Sequence, residues 1–396
     1  MYNIIVYKTE EGRQILLLEN GILLEKYLEK DEDSQIEGNV YLGKVQNVLP
    51  GMGAAFVNIG EDKNTFIHLK DILPKIDIRK EVKNAKEDKV SIKELVKPGT
   101  PLLVQVKRAE SYKKGARVST HINLTGKHIV LMPEVGFITV SQKIEDPKQK
   151  EKLTKIIQEV LPENFGAIIR TSATKAKKEE LEKDVENLLK KWKQIKELFD
   201  KEKKSFDEPK LLYKADSVVK KMLVDLTNQK IAGIIVNDKE IYDETLELIQ
   251  ELDVKHIDLK QVENSDFYEV YDLEKQLQKA DNRKVWLKCG GFITIDNTEA
   301  LTAIDVNSGK YIGTKSLEQT LYTVNREATY EIAKQLRLRD VGGIVVIDYI
   351  DMQENNNKAK IEKLLAEELK KDRSKTQVFG FTKLNLLEMT RKHIYG

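Results

Sequence analysis

A single cysteine, Cys289, among 396 residues excludes a disulfide framework and any paired-cysteine zinc site within the chain. The five histidines, His68, His121, His128, His256 and His393, are scattered without HxxxH or HxH spacing, which leaves little support for a histidine metal centre or triad. Eight prolines and 21 glycines are too few for a low-complexity chain. No apolar run approaches the roughly 18 residues a membrane-spanning helix needs. The opening MYNIIVYKTEEGRQ lacks the basic and apolar segments of a secretory signal and reads as a strand, so a cytoplasmic protein is expected. Neither sign of charge dominates: 67 Lys and Arg face 65 Asp and Glu. A globally basic nucleic-acid binder is therefore not indicated, although charge segregated by domain would escape this count.

What is present is a globular mixture, 40% hydrophobic and 33% charged, long enough for two to three domains at roughly 150 residues each. The segment from Tyr2 to Lys30 reads as two or three strands with turns at EEG and ENG. Between Ile36 and Thr120, about five short strands separated by glycine-containing turns predict a small closed barrel of the OB type. KHIVLMP, GFITVS and FGAIIRT predict further strands, and EDPKQKEKLTKIIQEVLPEN predicts a helix with Leu153, Ile156, Ile157 and Val160 on one face. A second amphipathic helix carries Leu181, Val185, Leu188, Trp192, Ile195 and Phe199. Its many lysines are balanced by acids, the pattern of a solvated helix face more than of an RNA tract. From 212 onward helices and strands alternate, the signature of α/β folding.

Three constellations could carry chemistry. Asp305 and Asp348 each sit at the end of a hydrophobic strand, LTAID and GGIVVID, where ligands bind in open α/β sheets. Two carboxylates brought together require a cation between them, and oxygen donors without nearby His or Cys select Mg²⁺ or Mn²⁺, ions suited to phosphodiester hydrolysis. Asn307, two residues on, projects to the same side and could bond an attacking water or a phosphate oxygen. The competing reading is that each Asp merely caps the following helix; Asp296 and Asp351 are read as turn or capping residues. In the barrel, Phe56 and Phe66 lie on neighbouring strands and either stack on bases, at about 1–3 kcal/mol each, or fill the core. Lys107, Arg108, Lys113 and Lys114 could neutralise phosphates there. In IIRTSATK, the neighbouring Arg170 and Thr171 could grip a terminal phosphate.

Several strings together resemble one family, the ribonuclease E/G endoribonucleases. GNVYLGKVQNVLPGMGAAFVNIG with FIHLKDI resembles its S1-type RNA-binding domain. VLMP with FGAIIRTSA resembles its sensor of RNA 5′ ends, and FITIDNTEALTAIDVNSG, IAKQLRLRDVGGIVVIDYIDM and NLLEMTRKH resemble its catalytic domain. The resemblance implies a multi-subdomain α/β fold: an RNase H-like subdomain from 1–35 and 212–278, an inserted S1 barrel at 36–126, a 5′ sensor at 127–211 and a DNase I-like catalytic subdomain at 279–396. It assigns one Mg²⁺ to Asp305 and Asp348, with Asn307 beside it, and RNA binding to Phe56, Phe66 and Lys114. It assigns a 5′-monophosphate pocket to Gly126, Val130, Arg170 and Thr171, supported by Lys375. Family members usually continue into a cysteine pair that shares zinc between subunits; this chain stops at His393–Gly396, so no zinc is expected in it and the family's tetramer is not carried over. Gln142 stands where the family often has a basic residue.

The leading expectation is a Mg²⁺-dependent (or Mn²⁺-dependent) endoribonuclease. It would hydrolyse single-stranded RNA to 5′-phosphate and 3′-hydroxyl ends, favour 5′-monophosphorylated substrates, and act in messenger decay and in processing of ribosomal and transfer RNA precursors. The runner-up is a non-catalytic RNA-binding protein working through its barrel; a DNase ranks third.

Overall fold

The computed structural model describes residues 1–30, 36–72, 91–108, 115–254, 256–263, 271–310 and 316–394. The chain opens with β1 (Tyr2–Thr9), β2 (Gly12–Glu19) and β3 (Ile22–Lys30). Then come β4 (Val40–Leu49), β5 (Ala54–Asn58), β6 (Thr65–His68), β7 (Pro101–Arg108) and β8 (Arg117–Ser119). A third stretch holds β9 (Leu124–Thr125), β10 (Ile129–Met132), β11 (Ile138–Val140), α1 (Pro147–Val160), β12 (Gly166–Ile169), α2 (Lys178–Glu202), β13 (Lys210–Tyr213) and α3 (Val218–Asp225). β14 (Ile231–Val236), α4 (Lys239–Glu251), β15 (Asp258–Gln261) and α5 (Leu273–Asp281) follow. The last stretch is β16 (Lys284–Trp286), β17 (Phe292–Asn297), β18 (Leu301–Asn307), α6 (Leu317–Leu338), β19 (Gly343–Asp348), α7 (Asn355–Leu369), β20 (Thr376–Phe381) and β21 (Leu386–Arg391). These elements form two compact units, 32–228 and 1–31 with 229–395.

In unit 32–228, β4, β5, β6, β8 and β7 pair in that order and β7 returns to β4, closing a five-stranded barrel. Its core is built from β-branched and small residues, among them Val45, Ala55, Val57, Ile67, Val104 and Val118, whose branched side chains suit a tightly coiled sheet. Beyond it, the sheet β11–β12–β10–β9 is covered by α1 and α2. Leu153 and Ile157 of α1 and Leu181, Val185, Leu188 and Ile195 of α2 are buried in one cluster, with Ile156, Val160 and Trp192 partly buried against it. The faces expected from the 3.6-residue period are therefore the faces that pack.

Unit 1–31 with 229–395 holds two sheets. One has the order β15–β14–β1–β2–β3; its central β1 runs parallel to β14 and antiparallel to β2. Ile4, Ile5 and Val6 are fully buried in succession, as a strand covered on both faces requires. The turn from β2 to β3 is Asn20–Gly21, both at positive φ (50° and 80°), the geometry of a tight two-residue hairpin. The other sheet, β16–β17–β18–β19–β21–β20, is antiparallel except for the parallel pair β18–β19, which α6 connects. One face of it is buried under α6 and α7 through Ile293, Ile304, Val345, Ile347, Leu387 and Met389. Cys289 lies in the tight turn before β17, because Gly290 at φ 94° and the Gly290 N–H to Leu287 C=O bond reverse the chain there.

Candidate active site

Strand alternation decides which side chains leave the core. In β18, Ile304 and Val306 turn inward, so Asp305 and Asn307 turn outward; in β19, Val345 and Ile347 turn inward and Asp348 outward. The parallel register sets Asp305 directly opposite Asp348. Their strands are neighbours, about 4.8 Å apart. The Asn307 amide Nδ2 donates to Asp305 Oδ2 at 2.5 Å, fixing that carboxylate's orientation. Asp348 has its pKa raised, first by desolvation and then by the negative charges of Asp305 and Asp351. Neither aspartate caps a helix: Ser316 occupies the N-cap of α6 and Glu354 that of α7.

The donor set consists of oxygens from two crowded carboxylates. Among the described residues no group of three or more His, Cys, Asp and Glu could hold a metal by itself. That combination suits Mg²⁺, which takes one or two carboxylates and fills its remaining positions with water and phosphate oxygens. Asp351, in the loop after β19, accepts a bond from Asn385 Nδ2 at 3.3 Å. Asp296, expected in a turn, lies within β17 and is ion-paired with Arg283, Nη2 donating to Oδ2 at 2.7 Å.

The structure also brings Gly126, Val130, Arg170 and Thr171 together. β10 pairs with β12, Val130 opposite Ile168, and the Arg170 N–H donates to the His128 carbonyl at 2.9 Å. Arg170 Nη1 donates to the Gly126 carbonyl at 2.8 Å, and its Nη2 is ion-paired with Asp225 at the end of α3. Thr171 is exposed and opens a short 3₁₀ turn, Thr171–Lys175. Gly126 is required by its neighbour: a Cβ there would stand 2.6 Å from Asp184 Oδ1. Asp184, on α2, accepts the backbone N–H groups of Lys127, His128 and Ile129 at 3.0, 2.7 and 3.1 Å, locking the loop. Asp184 and Asp225 escaped sequence reading, because the partner of each lies more than 50 residues away. Lys375 is exposed just before β20 and belongs to the other unit.

On the barrel, Phe56 and Phe66 face each other across β5 and β6, edge to face with centroids 6.1 Å apart. Both are half-buried, whereas Ala55, Val57 and Ile67 beside them fill the core; the phenylalanines occupy the outer surface. Lys107 Nζ donates to Gln105 Oε1 at 2.6 Å, and Arg108 is exposed. Lys113 and Lys114 lie outside the described residues.

A closed barrel with paired surface aromatics, joined to a mixed α/β unit carrying a strand-end aspartate pair, is the build of an RNA-binding enzyme. Residues 34–121 match the S1 RNA binding domain and residues 123–394 match the Ribonuclease E/G family. The chain belongs to the Ribonuclease E/G family and is an endoribonuclease. It is 37% identical to "Ribonuclease G" of Salmonella typhimurium (strain SL1344), over 98% of this chain and 79% of that protein. Against "Ribonuclease G" of Haemophilus influenzae the identity is again 37%, over 97% of this chain and 78% of the relative. "Ribonuclease E" of Buchnera aphidicola subsp. Schizaphis graminum is 33% identical over 97% of this chain and 40% of its own length. No helix among the described residues is long and apolar enough to cross a membrane.

Proposed function

We propose that the enzyme is Mg²⁺-dependent and hydrolyses single-stranded RNA internally, leaving 5′-phosphate and 3′-hydroxyl ends, in a cytoplasmic setting. The observation that carries this reading is the in-register pair Asp305–Asp348 on the open face of the sheet. Asp305 and Asp348 hold the cation, which supplies Lewis-acid stabilisation of charge on the phosphodiester when bound. Asn307 holds the Asp305 carboxylate in place through its side-chain amide. Hydrolysis adds water across the bond: its oxygen stays on the 5′-phosphate, and the 3′-oxygen leaves as a hydroxyl. Mn²⁺ can serve as a paramagnetic probe of the site. Wild-type chain is expected to bind it with the aspartates intact, and Asp348→Asn to lose that binding; equal Mn²⁺ binding by both would remove the carboxylates from the metal site.

For the finer organisation, we place 1–35 and 212–278 in an RNase H-like subdomain, 36–126 in the S1 domain, 127–211 in a 5′ sensor and 279–396 in a DNase I-like catalytic subdomain. Support comes from the S1 match ending at 121 and the Ribonuclease E/G match beginning at 123.

Phe56 and Phe66 stack on bases, assisted by Lys114. Phe56→Ala and Phe66→Ala should each weaken single-stranded RNA binding by about 1–3 kcal/mol with the barrel still folded. Lost thermal stability at unchanged affinity per folded molecule would assign the rings to packing instead.

Gly126, Val130, Arg170 and Thr171 receive the 5′-monophosphate. A terminal phosphate carries nearly two charges and three acceptor oxygens, a stronger partner for a guanidinium than one carboxylate. It therefore displaces Asp225 from Arg170. Wild-type enzyme should cut 5′-monophosphorylated RNA roughly tenfold or more faster than 5′-hydroxyl RNA, and Arg170→Ala should erase the difference. Asp225→Asn should lower the concentration of 5′-monophosphorylated RNA giving half-maximal rate by about two- to fivefold, because a partly exposed ion pair is worth up to about 1 kcal/mol. Equal rates on both RNAs in active wild-type enzyme would contradict the assignment.

A further inference from the structure

The open face that carries the aspartates continues outward to the edge of the sheet, and there it changes character. Phe292 on β17 stands directly opposite Asn307, and Trp286 on the edge strand β16 stands directly opposite Phe292. One row over, Lys284 faces Thr294, Thr294 faces Asp305, and Asp305 faces Asp348. Two parallel rows thus run from the edge strand into the aspartate pair. Phe292 is diagonal to Asp305, roughly 7–8 Å away, and Trp286 is one strand further out.

The alternate residues Ile293 and Val306 belong to the core cluster and Val285 packs against it, so Trp286 and Phe292 are held on the opposite face by the pleat. Trp286 is 60% exposed. The chain's other tryptophan, Trp192, is packed against a core. The indole meets Phe292 edge to face, with centroids 5.3 Å apart. Lys284 Nζ lies 4.1 Å from the Trp286 centroid and 3.6 Å from that of Phe292. The aromatic rings hold this cation two strands out from Asp305, in the same row, without neutralising it. Phe56 and Phe66 on the barrel repeat the same arrangement, a cross-strand edge-to-face pair on an outer surface.

We propose that Trp286, Phe292 and Lys284 form a nucleotide-binding subsite next to the scissile phosphate. An unpaired base of the RNA stacks on the Trp286 indole, Phe292 braces that ring, and Lys284 pairs with the adjoining phosphate. The proposal rests on reading Asp305 and Asp348 as the cleavage centre. Its recognition is sequence-tolerant, because every base has a π-face, and it requires single-stranded RNA, because a paired base has no free face to offer. The row geometry makes it an extension of the active site: a strand held by Trp286 and Lys284 is delivered along the sheet to the carboxylates. Trp286 and Lys284 act as binding residues and Phe292 as a positioning residue.

The test has two arms. In Trp192→Phe enzyme, Trp286 is the sole tryptophan, and its fluorescence should be quenched on addition of single-stranded RNA, whether or not the chain can cleave. Performing this arm also in an Asp348→Asn background separates the two claims. Quenching without cleavage supports both, retained cleavage by Asp348→Asn overturns the cleavage-centre reading alone, and unchanged fluorescence at saturating RNA overturns the stacking subsite alone. In the second arm, Trp286→Ala should raise KM about fivefold to a hundredfold with kcat changed far less. Trp286→Tyr should restore most of the loss. An oligonucleotide abasic at the stacked position should bind wild type and Trp286→Ala alike. Lys284→Gln should flatten the salt dependence of KM. An unaltered KM in Trp286→Ala overturns the proposal, as does a change confined to the mass of the enzyme in solution, which would make the patch a contact between copies.

Discussion

Asp305→Asn and Asp348→Asn are each expected to reduce RNA cleavage by more than about a hundredfold while single-stranded RNA binding by the barrel persists. Partners that only orient a metal ligand are commonly worth 10- to 100-fold, so removing a ligand's charge should exceed that range. The substitution is nearly isosteric, and both positions are exposed on the sheet face, so the fold has no reason to respond. The two variants should fail alike, since a lone carboxylate cannot do the work of the pair. Asn307→Ala should fall between them and wild type, because it removes only the 2.5 Å bond that orients Asp305. Single-turnover cleavage at saturating Mg²⁺, with RNA binding measured in parallel, reads both quantities. Near-normal turnover in either aspartate variant would dismiss the pair as the reacting centre.

The second large effect concerns the fold beneath the site. Arg391, the last residue of β21, has a side chain with no exposure, and so has its partner Asp372. Its Nε donates to Asp372 Oδ2 at 2.8 Å, and its Nη1 donates to Asp340 Oδ1 at 2.7 Å and to the Val341 carbonyl at 2.8 Å. This network ties the end of β21 to the turn after α6 and to the segment before β20. Arg391→Met should destabilise the unit by about 3–5 kcal/mol, chiefly because Asp372 is left charged and buried without its counter-ion. Adding Asp372→Asn to Arg391→Met should recover part of that loss. Denaturant unfolding followed by a signal from this unit checks both, and a loss below about 1 kcal/mol for Arg391→Met would contradict the network's importance.

What the sequence revealed and what it hid divide along one line. Local patterns were legible. The 3.6-residue spacing of Leu181, Val185, Leu188, Ile195 and Phe199 reports the buried face of α2 because helix geometry is periodic. The apolar strings ending at Asp305 and Asp348 report two adjacent strands with one face in the core, and their spacing allows one crossover helix between them. Pairings across the fold were not legible. Arg170 reads as a free cation after a strand, yet Asp225, distant in the chain, occupies its guanidinium. Nothing next to Gly126 in the chain shows that its lack of a side chain serves Asp184 on another element. Arg391 carries no local signal in NLLEMTRKH, yet three acceptors hold it buried. Trp286 is a single aromatic in a three-residue strand, and only the register of β16 with β17 and β18 places it in the row that leads to the aspartates.

The most direct measurement is cleavage of a 5′-monophosphorylated single-stranded oligoribonucleotide, with the products' ends identified, in Mg²⁺, in excess chelator, and after Mg²⁺ is restored. The expected result is internal cleavage in Mg²⁺ to fragments with 5′-phosphate and 3′-hydroxyl ends, none in chelator, and full recovery on restoring the ion. Cleavage that persists in chelator, or fragments ending in 2′,3′-cyclic phosphate, would contradict hydrolysis at the Asp305–Asp348 pair.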